Sequence, residues 1–201
     1  MSARCAYGEM GVLHKIVKGI AQISAIVGGI VLTALIILTT LSIFGRSISK
    51  AMHSDWAETW IGGLSDWVIR TGIDEINGTY ELTEAGVAFA IFAFLPICQF
   101  YGAHATVDVF TSALGERANR VLRLIWEVVL TLTIVFVTER LWDGMLRYLN
   151  NGETTLFLQF PVWWAYALSV GAAILACITA IYCAGARLTE AVTGRIILPQ
   201  G

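Results

Sequence analysis

Apolar residues fall in four long stretches along this chain, 20–44, 83–102, 124–142 and 162–184, rather than at the spacing of a half-buried surface helix. A helix needs about 20 apolar residues to cross the hydrocarbon of a bilayer, so each stretch is of spanning length. Lipid offers the backbone no hydrogen-bonding partner, and a lone spanning segment meets its own needs only as a helix. The pattern therefore predicts an all-α integral membrane protein, a bundle of four transmembrane helices forming one membrane domain over 1–201. Polar joints separate the spans: a long loop at 45–82 rich in Gly, Asp and Trp, a second with Arg117, Arg120 and Arg123, and a third containing Asn150, Asn151, Gly152 and Glu153.

Local signals refine this outline. His14, Lys15 and Lys18 precede the first apolar run as in a signal peptide, but the run is too long for one and lacks a small-x-small cleavage site, so it is expected to stay as a span. In the first loop Ser54 or Asp55 is placed to cap a helix, and Trp56, Trp60, Ile61, Leu64, Trp67 and Val68 recur at helical spacing. This predicts an interfacial helix with its indoles at headgroup depth; the alternative is a loop packed on the helix ends or on a partner. Ala21, Ala25, Gly29 and Thr33 form one small-residue ridge, and Ala172, Ala176, Ala180 and Ala184 another, both expected at helix contacts. Pro96 predicts a kink in the second span, and Pro161 the first position of the fourth.

Composition agrees with a lipid environment. Hydrophobic residues make up 57% of 201, charged residues 14%, and the mean hydropathy is +0.71. A net charge of -2 with no basic run gives no footprint for nucleic acid. Cys5, Cys98, Cys177 and Cys183 are scattered, without metal or redox spacing, and read as free thiols packed like small hydrophobes. Basic residues set orientation, because Lys and Arg are retained on the cytoplasmic side. Eight (Arg4, Lys15, Lys18, Arg117, Arg120, Arg123, Arg187 and Arg195) share the side of the termini, against five opposite, while ten of the fifteen acidic residues lie opposite. Both termini are therefore expected in the cytoplasm.

Ionisable groups at membrane depth are candidates for function. Glu127 lies about one turn inside the third span, with Arg123 four residues earlier on the same face. The pair reads as an interfacial ion pair, with a proton or cation site and a partner-subunit contact as alternatives. His104 and Asp108 are also four apart, beyond the second span; a metal would need a further ligand that is not local, so they read as a hydrogen-bonded helix-end pair or a subunit contact. A haem protein would need axial histidines inside the bundle, yet His14, His53 and His104 all fall at or beyond the span ends. No nucleophile and base pair, phosphate loop, catalytic, substrate-binding or metal set is legible, and no cofactor is implied. Internal repeats and broken helices, the marks of a complete transporter, are missing as well.

The chain resembles the small membrane (Q) subunit of the tripartite ATP-independent periplasmic (TRAP) transporters of bacteria. Phe44, Gly45 and Arg46 closing the first span are similar to that family's apolar run ending in arginine. The segment from Glu81 to Phe110 looks like its acidic entry to the second span and His-x-x-x-Asp motif, with Glu84, His104 and Asp108 at the matching positions. Arg117 and Arg120 match the basic entry to the third span, and Pro161 with Trp163 or Trp164 the approach to the fourth. The resemblance implies a three-part system in the bacterial inner membrane. A periplasmic substrate-binding protein captures an organic anion such as a C4-dicarboxylate, and a large M-type membrane subunit moves it with sodium. The small subunit then supports the large one, with lipids as its other partners and no enzymatic activity. Arg46, Glu84, His104, Asp108, Arg117 and Pro161 become structural or interface candidates. The first loop is longer than that family leads one to expect, which makes it a candidate contact for the binding protein or large subunit. A small four-helix membrane enzyme or redox anchor, and a self-sufficient channel or exporter, are the alternatives.

Overall fold

The computed structural model describes residues 3–52, 78–102 and 116–193. Among them are four helices: α1, Ala3–Met52; α2, Thr79–Tyr101; α3, Glu116–Asn151; and α4, Val162–Thr193. Each contains a segment long and apolar enough to span a bilayer, namely Gly11–Ala51, Thr79–Tyr101, Val121–Asn151 and Val162–Glu190. The helical four-span class expected from the apolar pattern is therefore present. The interfacial helix expected around Trp56 to Val68, and the His104 and Asp108 pair, lie outside the described residues.

The helices run past the apolar stretches because helical hydrogen bonding continues until something stops it. For α2 and α3 the stops are glycines in the left-handed region: Gly78 (φ 84) before α2, Gly102 (φ 62) after it and Gly152 (φ 67) after α3. The Gly102 N–H bonds back to Gln99 O at 3.3 Å and the Gly152 N–H to Tyr148 O at 3.1 Å, each closing the last turn. At the start of α4, Pro161 stands one residue before the first helical position. Its carbonyl accepts the Trp164 N–H at 3.1 Å.

Helices α2 and α4 run parallel through the middle, with α1 packed antiparallel on α2 and α3 antiparallel on α4. The α1–α2 contact repeats every seven residues. Ser42 meets Thr79, Leu35 closes on Gly86, Gly28 on Ala93, and Ala21 joins Phe100 in one cluster. A seven-residue period is that of left-handed packing. It departs from the four-residue ridge Ala21, Ala25, Gly29 and Thr33: Ala21 is buried, but Gly29 has no neighbour in reach and exposed Thr33 bonds only its own helix, at Gly29 O. The four-residue step drifts around the helix, whereas the alternation of three and four follows the contact line. On α4, Ala172, Ala176 and Ala180 are buried as the spacing anticipates, while Ala184, the last of that ridge, is half-buried.

Close approach depends on glycine at particular points. A Cβ on Gly28 would lie 3.0 Å from the Ala93 Cβ, and one on Gly144 would lie 2.9 Å from the Tyr166 ring. Near the first of these, Pro96 deprives the Phe92 carbonyl of its usual donor. The Ser24 hydroxyl reaches across from α1 and donates to the next carbonyl, Ala93 O, at 2.8 Å. Serine thus supports the backbone where proline loosens it.

Candidate functional site

The buried polar groups concentrate at the end of the bundle where α1 begins and α4 finishes. Glu127 is 9% exposed and Gln99 2%. The Gln99 Nε2 donates to Glu127 Oε1 at 2.6 Å, joining α2 to α3. Arg123 stays exposed and makes no ion pair with Glu127, so the intrahelical pair expected from the sequence is not the one formed. The reason is rotational: Glu127 points into the bundle toward α2, while the long Arg123 side chain, one turn nearer the helix end, keeps its charge outside.

One turn beyond the core of α4, Arg187 and Glu190 form a second buried pair, with Nη1 to Oε2 at 3.0 Å and each side chain 9% exposed. In the sequence Arg187 counts only toward the basic bias that sets topology. Cys183 is fully buried between these groups, within electrostatic reach of both Glu127 and Arg187. His14 Nδ1 lies 3.2 Å from the Tyr182 hydroxyl and its ring 5.0 Å from that of Phe100, tying α1 to α4 and α2. Further along, the Thr131 hydroxyl reaches Ala180 O at 3.3 Å, and Thr138 lies 3.1 Å from Cys177 Sγ. With the Ser24 and Ser42 contacts, these polar bridges join α1 to α2, α1 to α4, α2 to α3 and α3 to α4. In lipid, where apolar contact alone favours no particular register, such bridges select one.

Chemically the cluster is saturated with mutual contacts. Its carboxylates face an amide and a guanidinium, and among the described residues no group of three His, Cys, Asp or Glu side chains is placed to hold a metal. The free thiols Cys98, Cys177 and Cys183 are dispersed among the helices.

A second polar feature closes the opposite end. The connection between α3 and α4 folds into a small hairpin, with Thr154 bridged to Pro161 and the Thr155 N–H bonded to Phe160 O at 3.0 Å. Its tip is clamped from α2, because the Glu81 carboxylate accepts the Phe157 N–H at 2.8 Å and the Leu158 N–H at 3.1 Å. Gly78 lies under Leu158, and a Cβ there would fall 2.5 Å from the leucine side chain. Glu84, the acidic residue singled out in the sequence, is exposed, as is Arg46 at the far end of α1. Arg117 lies in the first turn of α3, but its side chain, like that of Arg120, is outside the described residues. Gln99, Glu81 and the Arg187–Glu190 pair escaped sequence reasoning. The only signal for the first was a lone amide in an apolar run.

Fold and polar contacts together define a multi-pass helical membrane protein whose internal polar groups join helices to each other. The family model for the DctQ component of tripartite ATP-independent periplasmic transporters matches residues 35–189. The chain belongs to this family, one of transporter components and not of enzymes. No curated protein and no solved structure matches it.

Proposed function

We propose that this chain is the small permease subunit of a sodium-coupled TRAP transporter importing an organic acid, with a C4-dicarboxylate as the leading substrate class. It supports a large M-type membrane subunit, is served by a periplasmic substrate-binding protein, and catalyses no reaction itself. It resides in the bacterial inner membrane with both termini in the cytoplasm. The observation that carries this reading is the match to the DctQ family over residues 35–189.

The packing supports a scaffold role. Only 17% of the apolar windows of α1 and α2 and 11% of that of α3 is buried, against 44% for α4. Three of the four helices thus offer broad apolar faces to lipid and to a larger subunit, while α4, the most buried span, holds the bundle together. A bundle locked by inter-helix hydrogen bonds suits a part that stays fixed while its partner moves. In this reading Arg46, Glu84, His104, Asp108, Arg117 and Pro161 serve structure or subunit contact rather than substrate.

The test is co-purification of the tagged chain from its native membrane in mild detergent, with mass spectrometry of what accompanies it. Recovery of a large polytopic protein in about equal amount supports the proposal, and uptake assays then identify the substrate. A chain recovered alone or as a homo-oligomer overturns it, and a haem band in its visible spectrum favours a redox anchor.

A further inference from the structure

The α3–α4 hairpin carries the most exposed large apolar side chain of the described residues, Leu156 at 88%, with Phe157 beside it at 67%. They do not sit on a slack loop. A backbone bridge closes its base, the Glu81 carboxylate takes both tip N–H groups, and Leu158 is seated over Gly78. A loop so held presents its apolar residues outward in a fixed position.

Its depth follows from its partner. Glu81 is in the first turn of the α2 span, so the tip is pinned at the level where α2 enters the apolar layer. From there further exposed apolar side chains follow on the α2 and α4 spans, interrupted on α2 by the exposed Glu84 one turn in. Along α2 they are Tyr80, Val87 and Ile91, and along α4 Trp164 and Leu168, all exposed on the spanning segments. Exposed Trp and Tyr at a span end are the mark of the headgroup boundary, where an aromatic ring meets both water and chain. We infer that the 156–158 tip is an interfacial membrane anchor: Leu156 and Phe157 insert into the lipid leaflet at the hairpin end of the bundle, with Glu81 as the clamp that holds them there. The polar residues Glu153 and Gln159 at its base remain exposed on the water side. The anchor requires only that the chain span a bilayer, and so stands apart from which transporter it serves.

The experiment places p-benzoylphenylalanine at position 157, where the exposed ring leaves room for the added benzoyl group, and irradiates the full chain in its native membrane. Leu168 serves as the lipid-facing reference and Asn150 as the water-facing one. The expected result is a phospholipid adduct on the peptide containing residue 157, in yield comparable with that at 168 and several-fold above that at 150. Glu81→Gln, which keeps the side-chain shape but removes the charge that binds the two N–H groups, should lower the yield at 157 several-fold and leave that at 168 unchanged. Cross-linking of 157 to a protein overturns the inference and assigns the tip to a subunit interface. Failure of 157 to form lipid adducts while 168 forms them overturns it in favour of a solvent-exposed loop.

Discussion

The Gln99–Glu127 bond is a direct test of whether a polar bridge between α2 and α3, both of which pack on α4, adds to the stability that packing provides. The two side chains are 2.6 Å apart, and both are buried. Hydrogen bonds between membrane helices average about 0.6 kcal/mol and reach about 1.7, whereas those to charged groups in soluble proteins contribute about 1.5–3. A short bond to a carboxyl oxygen out of reach of water belongs near the top of the membrane range. The expected coupling is about 1–2 kcal/mol, a factor of roughly 5–30 in the unfolding equilibrium. Both residues also have other interactions, so single variants overstate the bond. A double-mutant cycle of Gln99→Leu, Glu127→Leu and the pair subtracts those contributions. Reversible unfolding in mixed micelles, followed by circular dichroism, provides the four free energies. A coupling below about 0.3 kcal/mol, the size of ordinary additivity error, would refute the reasoning and leave packing as the sole determinant.

Other contacts make equally definite demands. Gly28→Leu should destabilise the chain by about 1–3 kcal/mol by overpacking, read as a fall in thermal stability in detergent, because its Cβ already meets the rigid Ala93 Cβ at 3.0 Å; an unchanged melting temperature counts against the seven-residue contact line. Arg187→Met, which leaves Glu190 without that buried partner, should cost about 3–5 kcal/mol, while the combined Arg187→Met, Glu190→Leu variant should recover much of it; equal losses would mean the pair is not what matters. Glu81→Ala should speed proteolytic cleavage within 156–158 in detergent while leaving cleavage elsewhere unchanged, since the two tip N–H bonds are lost.

Much of the architecture was legible because lipid imposes strong one-dimensional rules. Four apolar runs gave four helices, and the small residues Ala172, Ala176 and Ala180 marked the buried side of α4. Pro161 was placed within one residue of its position before α4. Where the reading failed, it failed on rotation about the helix axis. Four-residue spacing puts Thr33 on the contact ridge, yet it is exposed, and it sets Glu127 beside Arg123 on one helix, yet Glu127 reaches Gln99 on another. Spacing along a chain says which residues share a face, not which face meets a neighbour. In an all-apolar span no amphipathic stripe settles the question.

The sequence by itself determined that this protein lives in a bilayer, how many helices its described residues contribute to it, and which family the residues at the span ends resemble. These follow from length, hydropathy and local residue type, quantities that need no knowledge of neighbours. The tertiary structure alone decided that α2 and α4 occupy the middle, that Gln99 meets Glu127 across 28 residues and that Glu81 clamps Phe157 across 76. Each depends on how helices turn and slide against one another. Because lipid solvates every apolar face about equally, that choice is left to glycine contacts and a few hydrogen bonds, which acquire meaning only once their partners are in place.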